Sequence, residues 1–235
     1  MMNRVVQGDD GEEAWQAARQ RGFLRRLPAD VVDTLIRQGV VVRHAARTRL
    51  PAPDAAVVVG GLLRSYMTAG DGRQITLRYL GPGDLIGAVL PTAQASFQMV
   101  QASTLLHLDA GQLWACAEEN PQLALALAQE LSARLRHAYH TLAYGLFATV
   151  RSRVARDLVE RARAAGARGP AVHLRLTQQE LADATGSVRE VVTRALGELR
   201  RLGLVTTDHS EVVILDLRAL AREAASNVEV LPDAA

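Results

Sequence analysis

The sequence predicts an α+β fold in three parts, and three patterns within its 235 residues support this prediction. Several short β-rich runs lie within residues 40–108, separated by turns of Gly, Pro and Asp. Residues 122–147 instead carry leucines and alanines three and four positions apart, as a helix does. Two short amphipathic helices flank Gly186, and two further β-rich runs follow them. We therefore expect an antiparallel β-roll, one long helix and a C-terminal helical domain with a small sheet.

The first predicted domain covers residues 12–120. Its start, residues 12–37, is predicted to form helical pieces interrupted at Leu27 and Pro28. The candidate strands follow, in the order VVVRHA, AAVVVGG, LLRSYMT, RQITLRYL, SFQMVQAS and TLLHLD. Their length, and turn signals such as AGDGR and GPGD between them, favour a small antiparallel roll. A short helix, AGQLWACAEE, is expected to end the domain before Pro121.

Residues 121–148 form the predicted long helix. An apolar stripe with spacings of three or four residues runs along it, comprising Leu127, Leu131, Leu135, Ala138 and Leu142. Such a stripe is typical of a coiled coil. It can pack on its own domain, or it can pair with the same helix of a second chain. We favour the pairing, so the sequence predicts a homodimer.

The third predicted domain, residues 149–225, contains the most informative stretch of the chain, LTQQELADATGSVREVVTRALGELRRLGLV. Thr177 with Glu180, and Ser187 with Glu190, match the capping box that starts a helix. Gly186 lies where a sharp turn between two helices needs a positive φ. The predicted buried faces comprise Leu181, Ala182 and Ala184 in the first helix and Val188, Val191, Val192, Ala195, Leu196 and Leu199 in the second. The pattern predicts a helix-turn-helix, and LVTTDHSEVVILD after it predicts a two-stranded wing.

Charged and polar side chains gather near the start of the second helix, the end that enters the DNA major groove in a helix-turn-helix. They are Arg189, Glu190, Thr193 and Arg194. Arginine can donate two parallel hydrogen bonds to guanine, and glutamate can accept from cytosine. The alternative is a solvated helix face on which Glu190 and Arg194 pair one turn apart. Two capping patterns around a glycine turn favour DNA reading over that alternative.

This segment resembles the DNA-binding motif of the CRP/FNR family, the cyclic-AMP receptor and its relatives. The family pattern T-x-x-E-[IL]-[AG]-x-x-x-G-x-[ST]-R-E-x-[VL]-x-R fits residues 177–194, except that Val188 replaces a Ser or Thr. The resemblance implies a homodimeric transcription regulator that reads a palindromic TGTGA-like site, with RNA polymerase as a partner if it is an activator. The implied base-reading residues are Arg189, Glu190 and Arg194. The candidates for contacts with the DNA backbone are Thr177, Gln179, Ser187 and Thr193.

Residues 61–87 resemble the cyclic-nucleotide-binding roll of the same family through the patterns G-x-[LV]-R-x-Y, DGR and PGD. The chain departs from the family where that nucleotide is held. Gly87, Ala88 and Val89 stand in place of a Gly-Glu-Leu motif, and TAQASFQMV carries no arginine. Ala138 and Tyr139 replace a pair of hydroxyl-bearing residues. A buried phosphate needs a cationic partner or several backbone amides, so we do not expect cyclic AMP to be the effector.

Several alternatives for the signal stay open: regulation by abundance alone, or an apolar or gaseous ligand bound directly or through haem. A redox switch at Cys116 and an anion held by Arg64 and Arg78 are further alternatives. Imidazole ligates haem iron readily, and the long helix carries two histidines three residues apart. The cofactor therefore stays unassigned. The candidate residues of an effector pocket are Arg64, Arg78, Gly87, His137, Tyr139 and His140.

Composition excludes several other classes of protein. The net charge is only +2, and the chain has no lysine, so an architectural polycation is not expected. Residues 151–225 contain 13 arginines and 10 acidic residues, a net charge of +3. The single cysteine, Cys116, excludes an intrachain disulfide and a four-cysteine metal site, and we expect no metal.

No apolar run approaches the ~20 residues that span a bilayer, which predicts a cytoplasmic protein away from membranes. No G-x-S-x-G, H-E-x-x-H or phosphate-loop pattern occurs, so an enzyme is not expected.

Overall fold

The computed structural model describes residues 9–50, 55–87, 95–167, 171–208 and 210–226. Contacts between residues group the chain into two compact units. Residues 1–65 and 79–135 form the first unit, and residues 66–78 and 136–235 form the second. The predicted division at residues 120 and 148 follows the ends of the long helix instead, and it stays a prediction.

The first unit begins with two helices, α1 (Asp9–Arg19) and α2 (Ala29–Gln38), joined through a 3-10 turn (Leu24–Arg26). Pro28 occupies the N-cap of α2 in an extended conformation. Proline disfavours helical geometry in the residue before it, which accounts for the predicted break at this point. Later in the chain come α3 (Ala110–Glu119) and the long α4 (Pro121–Phe147).

Eight strands lie in the described residues before α3, and they form two four-stranded sheets. They are β1 (Val40–His44), β2 (Arg49–Leu50), β3 (Ala55–Gly60), β4 (Leu63–Thr68), β5 (Gln74–Leu80), β6 (Leu85–Gly87), β7 (Ser96–Met99) and β8 (Ser103–Leu108). The sheet orders are β1-β8-β3-β6 and β2-β7-β4-β5. The pairs β1–β8, β3–β8, β3–β6 and β2–β7 are antiparallel, which confirms the predicted antiparallel roll. The short strands β2 and β6 were not predicted.

Strand β3 is buried on both faces, which explains its uninterrupted apolar sequence. Ala55, Val57 and Val59 pack with residues of the helices in one core cluster. Ala56 and Val58 point the other way, into a second cluster that includes residues of both sheets. Alternate residues of a strand face opposite sides, so one strand serves both cores of this unit.

The second unit contains four helices and three strands in its described C-terminal part. They are α5 (Val150–Ala164), β9 (Val172–Arg175), α6 (Gln178–Ala184), α7 (Arg189–Arg201), β10 (Val205–Asp208), β11 (Glu211–Ile214) and α8 (Leu217–Ala225). The strands form one antiparallel sheet in the order β10-β11-β9. A single apolar cluster joins all four helices to this sheet. The predicted winged helix-turn-helix is confirmed.

The long helix α4 carries the predicted apolar stripe, with one correction. Leu127 is only 2% exposed and packs in the core of the first unit. Leu135 and Leu142 are 54% and 58% exposed. We call the exposed row of the stripe the α4 seam, and it comprises Leu131, Leu135, Ala138 and Leu142. No helix in the described part of the chain is both long and apolar enough to cross a membrane.

Candidate nucleic-acid interface

The first helix of the helix-turn-helix is held at its start by a capping box. Thr177 accepts a hydrogen bond at Oγ1 from the backbone N–H of Glu180, at 3.1 Å. The Glu180 carboxylate accepts one in return from the backbone N–H of Thr177, at 2.7 Å. Two of the backbone donors that a helix start leaves without a partner are thereby satisfied. Leu181 and Ala182 are fully buried below this turn, so the predicted first helix is confirmed.

The turn between the two helices differs from the prediction at one point. Gly186 has a φ of +63°, as the predicted sharp turn requires. However, α7 begins at Arg189 with Val188 as its N-cap, and no side chain caps it. The predicted capping box of Ser187 and Glu190 is therefore wrong, because Glu190 is the second residue of the helix and not the third.

The exposed face of α7 carries the predicted base-reading side chains. Arg189, Glu190 and Arg194 are exposed, and within the described part of the chain none of them forms an ion pair. The opposite face is buried and comprises Val192, Ala195, Leu196 and Leu199. Val188 was predicted to join that face, but it is 53% exposed at the turn. The solvated Glu190–Arg194 pair of the alternative interpretation does not occur.

The four candidates for backbone contacts have different surroundings. The hydroxyl of Thr177 is already engaged with Glu180, from which it accepts and to which it donates. Gln179 is exposed and donates from Nε2 to Asp183 at 2.8 Å. Thr193 is exposed, with Oγ1 at 2.8 Å from the Gln178 side chain. Ser187 is half-buried in the turn. Thr177 thus serves as a helix cap, and the other three lie on or beside the exposed side of the motif.

Arg151 on α5 ties the second helix of the motif to the rest of the unit. Its Nη1 donates to Glu198 on α7 at 3.0 Å, and its Nε donates to Glu223 on α8 at 2.6 Å. These two hydrogen bonds raise the pKa of Arg151 above its usual value, and the one donated to Glu223 has the larger effect. Arg200 on α7 also donates to Thr207 on β10, at 3.2 Å. Helix α7 is therefore tied to α5 and α8 through Arg151, and to the wing through Arg200.

A cleft of about 470 Å³ lies beside the exposed end of α7, within the second unit. One wall is the turn between β4 and β5, where Asp71 and Arg73 form an ion pair of 2.7 Å. The other wall includes Gln179, Arg189 and Glu190. The hydrogen bonds from Arg73 lower the pKa of Asp71. The β4–β5 turn thus neighbours the side chains that are predicted to contact DNA.

Two candidate effector residues, Arg64 and Gly87, lie in the first unit. Arg134 contacts one of them, although it is not among the site residues predicted from the sequence. Arg64 is buried and donates from Nε to Gln98 at 2.9 Å. Gly87 accepts at its backbone oxygen from Nη1 of Arg134, at 2.9 Å. Arg134 also pairs with the buried Glu130 at 3.0 Å. Arg134 follows Glu130 by four residues, which is the sequence signal for this pair. Ala88, Val89 and residues 92–94 of TAQASFQMV lie outside the described residues.

The other candidates lie in the second unit: Arg78 on β5, and His137, Tyr139 and His140 on α4. His137 and His140 are three residues apart and share one side of α4, and Tyr139 lies away from them. The His137 ring contacts the backbone oxygen of Leu77 on β5, and burial lowers the pKa of this histidine. The charge of Glu160 and the contact with Leu77 oppose this lowering of the pKa, and the charges of Arg156 and Arg78 add to it. Tyr139 is 63% exposed, so its ring is not part of an enclosed pocket. His140 accepts at its backbone oxygen from Arg156. Among the described residues, no group of three or more metal-ligating side chains occurs.

Comparison with known proteins agrees with this geometry. Residues 152–223 match the Crp-like helix-turn-helix domain. The transcriptional regulator SdrP of Thermus thermophilus is 33% identical over 180 residues, covering 75% of this chain and 86% of that protein. The CRP-like cAMP-activated global transcriptional regulator of Mycobacterium tuberculosis is 28% identical over 182 residues, covering 74% of this chain and 81% of that protein.

Solved structures share the fold of this chain. A CRP/FNR-family transcriptional regulator from Thermus thermophilus is 30% identical with a TM-score of 0.64, and the match covers 78% of this chain and 97% of that one. A CRP/FNR-family protein of Eubacterium rectale has the same fold at 20% identity, with a TM-score of 0.67 and coverage of 87% and 99%. The chain therefore belongs to the CRP/FNR family and is a DNA-binding transcription regulator.

Proposed function

We propose that the protein is a homodimer that reads a palindromic TGTGA-like site with Arg189, Glu190 and Arg194. The observation that carries this proposal is the exposure of all three side chains at the start of α7, on a helix whose other face is buried. Arginine and glutamate in this position can recognise guanine and cytosine edges. Two copies of α7 would enter successive major grooves about 34 Å apart.

The α4 seam supports the dimer. Its four residues, three leucines and Ala138, are exposed at intervals of three and four residues, on a helix of 27 residues. A contiguous apolar row of this kind is unfavourable in water and marks an interaction surface. Pairing with the same seam of a second chain would bury it in coiled-coil fashion. The exposed Tyr139 and Leu146 lie on the same helix and could extend the contact.

Cyclic AMP is not the effector in this proposal. The sequence has alanine after Gly87 where the nucleotide-binding relatives carry glutamate, and the buried Arg64 already donates to Gln98. Activation by cAMP is part of the name of the Mycobacterium relative and is a property of that protein. The alternative is a regulator that senses haem or another small ligand through the roll and the histidines of α4. His137 favours it, because burial keeps this imidazole neutral and a neutral imidazole can ligate iron.

The test is an anisotropy titration on a labelled palindromic TGTGA duplex at one stated salt concentration, with and without cyclic AMP. A duplex of the same composition with scrambled half-sites is the control. We expect tight binding to the palindrome without nucleotide, and no change when nucleotide is added. Binding that depends on cyclic AMP would refute the effector proposal, and equal binding to both duplexes would refute the proposed recognition of a TGTGA-like site.

Haemin added in a parallel titration tests the haem-sensing alternative through its absorbance and its effect on DNA binding. In vitro transcription then tests whether RNA polymerase is a partner.

A further inference from the structure

A small cavity lies in the second unit, away from the exposed face of α7. Its volume is about 40 Å³. Four elements line it: strand β5, the C-terminal end of α4, helix α5, and the end of α6 with the turn that follows. Ile75 and Thr76 contribute from β5, and Thr185 contributes from the turn of the helix-turn-helix. A backbone bridge between Ile75 and Thr185 holds these two walls together.

Two residues that line this cavity each carry a buried polar atom with no hydrogen-bond partner among the described residues. These atoms are Nε of Arg153 and Oγ1 of Thr76. Unsatisfied polar atoms are rare in folded proteins because each loses its hydrogen bonds to water without replacement. Within the same described ranges, no residue forms an ion pair with Arg153. Burial lowers the pKa of Arg153, and no charged neighbour opposes that effect.

The other charged groups of the cavity are already neutralised. Arg156 pairs with Glu160 at 2.6 Å, and its guanidinium also lies over the ring of Tyr144, 4.3 Å from the ring centre. Asp157 pairs with Arg161 at 2.7 Å. Of the described residues that line the cavity, Arg153 therefore carries the charge that lacks a partner, and this charge is positive.

We propose that this cavity is a binding site for the carboxylate group of a small organic acid, with Arg153 and Thr76 as the donors. A carboxylate matches the planar guanidinium in shape and offers two acceptor oxygens. One negative charge balances Arg153, whereas a second would face the carboxylates of Asp157 and Glu160. The cavity also exceeds the ~10–15 Å³ that a single water molecule requires, so it has room for a larger group.

Such a ligand would lie against both β5 and the turn that precedes α7, because Thr76 and Thr185 line the same cavity. The site is distinct from the residues proposed to read DNA, and its test uses no DNA. Failure of one proposal would therefore leave the other standing.

The experiment measures the melting temperature of the full chain by calorimetry while acetate replaces chloride at constant ionic strength. A ligand that binds only the folded protein raises the melting temperature in step with its concentration. We expect a saturable rise in the wild type and none in Arg153→Met. Thr76→Val should weaken acetate binding by about tenfold, the effect of one hydrogen bond to a charged acceptor. Arg163→Met is the matched control, since Arg163 is exposed on the same helix, and it should respond as the wild type does.

Three results would overturn the proposal. The first is a wild-type melting temperature that does not depend on acetate. The second is an equal rise with inorganic phosphate, which would indicate a general anion effect. The third is an undiminished acetate response in Thr76→Val, a variant that removes only one hydroxyl.

Saturation-transfer NMR on acetate gives an independent measure of binding in the wild type and the three variants. Without ligand, Arg153→Met should melt no lower than the wild type, because it removes a buried group that has no partner.

Discussion

Arg161 and Asp157 form a buried ion pair one turn apart on α5, with 2.7 Å between Nε and Oδ2. Both side chains are about 5% exposed, in the core that supports the helix-turn-helix. Two opposite charges that are buried together compensate each other. Either one alone would be a buried charge with no counter-charge, in an interior that solvates charges poorly. The pair therefore makes the stability of this unit depend on both partners.

Removing one partner of this pair should be strongly destabilising. Arg161→Met leaves the carboxylate of Asp157 buried without its cation, and we expect a loss of about 3–5 kcal/mol in the free energy of unfolding. Urea titration followed by circular dichroism measures it. The double variant Asp157→Leu with Arg161→Met should recover most of the loss, since it removes both charges. If the double variant were as unstable as the single one, the cost would lie in packing and not in the unpaired charge.

Loss of a hydroxyl should change stability differently at the starts of the two helices of the helix-turn-helix. Thr177→Val removes the cap of α6 and should cost about 1 kcal/mol. Ser187→Ala should change stability by less than about 0.5 kcal/mol, because Ser187 does not cap α7. Thermal unfolding of both variants is the measurement. Equal losses would show that Ser187 contributes to its helix start after all.

The helix-turn-helix could be predicted from sequence because its signals are local. A capping box, a glycine with positive φ and an apolar period of 3.6 each lie within a few residues. The sequence predicts the start of α7 one residue too early, because Val188 is extended and forms the N-cap itself. Val188 stays exposed, so it gains nothing by joining the helix.

Contacts between distant segments could not be predicted in the same way. Leu127 and Leu131 belong to one periodic stripe, but only the packing of α4 shows that Leu127 faces the core of the first unit. Arg134 binds the backbone oxygens of Leu85 and Gly87, almost 50 positions earlier in the chain. No periodicity links those positions, and β6 is too short to show a strand pattern.

The proposed reading of DNA by α7 predicts a loss of specificity when Arg189 is replaced. Arg189→Ala should weaken binding to the palindromic duplex by about 1–3 kcal/mol, or roughly tenfold to a hundredfold. Discrimination should fall at one guanine of each half-site and persist elsewhere. Competition titrations with duplexes altered at single positions measure this. Arg163→Ala is the control, because it removes the same charge from an exposed position on α5. A variant at Arg189 that kept the wild-type preference at every position would refute the assignment.

The proposed pairing of the α4 seam predicts that a charge at its centre disrupts the dimer. Leu135→Glu would bring two carboxylates together in an apolar contact, which is unfavourable. We expect sedimentation equilibrium to show a monomer, with weaker DNA binding as a consequence. Gln129→Glu adds the same charge to the same helix at an exposed position outside the seam, and it should leave the dimer intact. An unchanged mass for Leu135→Glu would mean that the seam does not pair.

The buried ring of His137 predicts a dependence of stability on pH. Burial lowers the pKa of this histidine below its usual 6.5 and outweighs the opposing charge of Glu160 and the contact with Leu77. The charges of Arg156 and Arg78 act in the same direction as burial. The unfolded chain therefore binds a proton at a higher pH than the folded chain does, so stability is full above pH 6.5 and falls as the pH drops below it. Urea titrations between pH 7.5 and 5.5 should show a steeper loss in the wild type than in His137→Gln. His107, whose pKa is also lowered by burial, is present in both proteins and cancels in the comparison. Parallel losses in the two proteins would show that His137 takes up its proton as readily when folded as when unfolded.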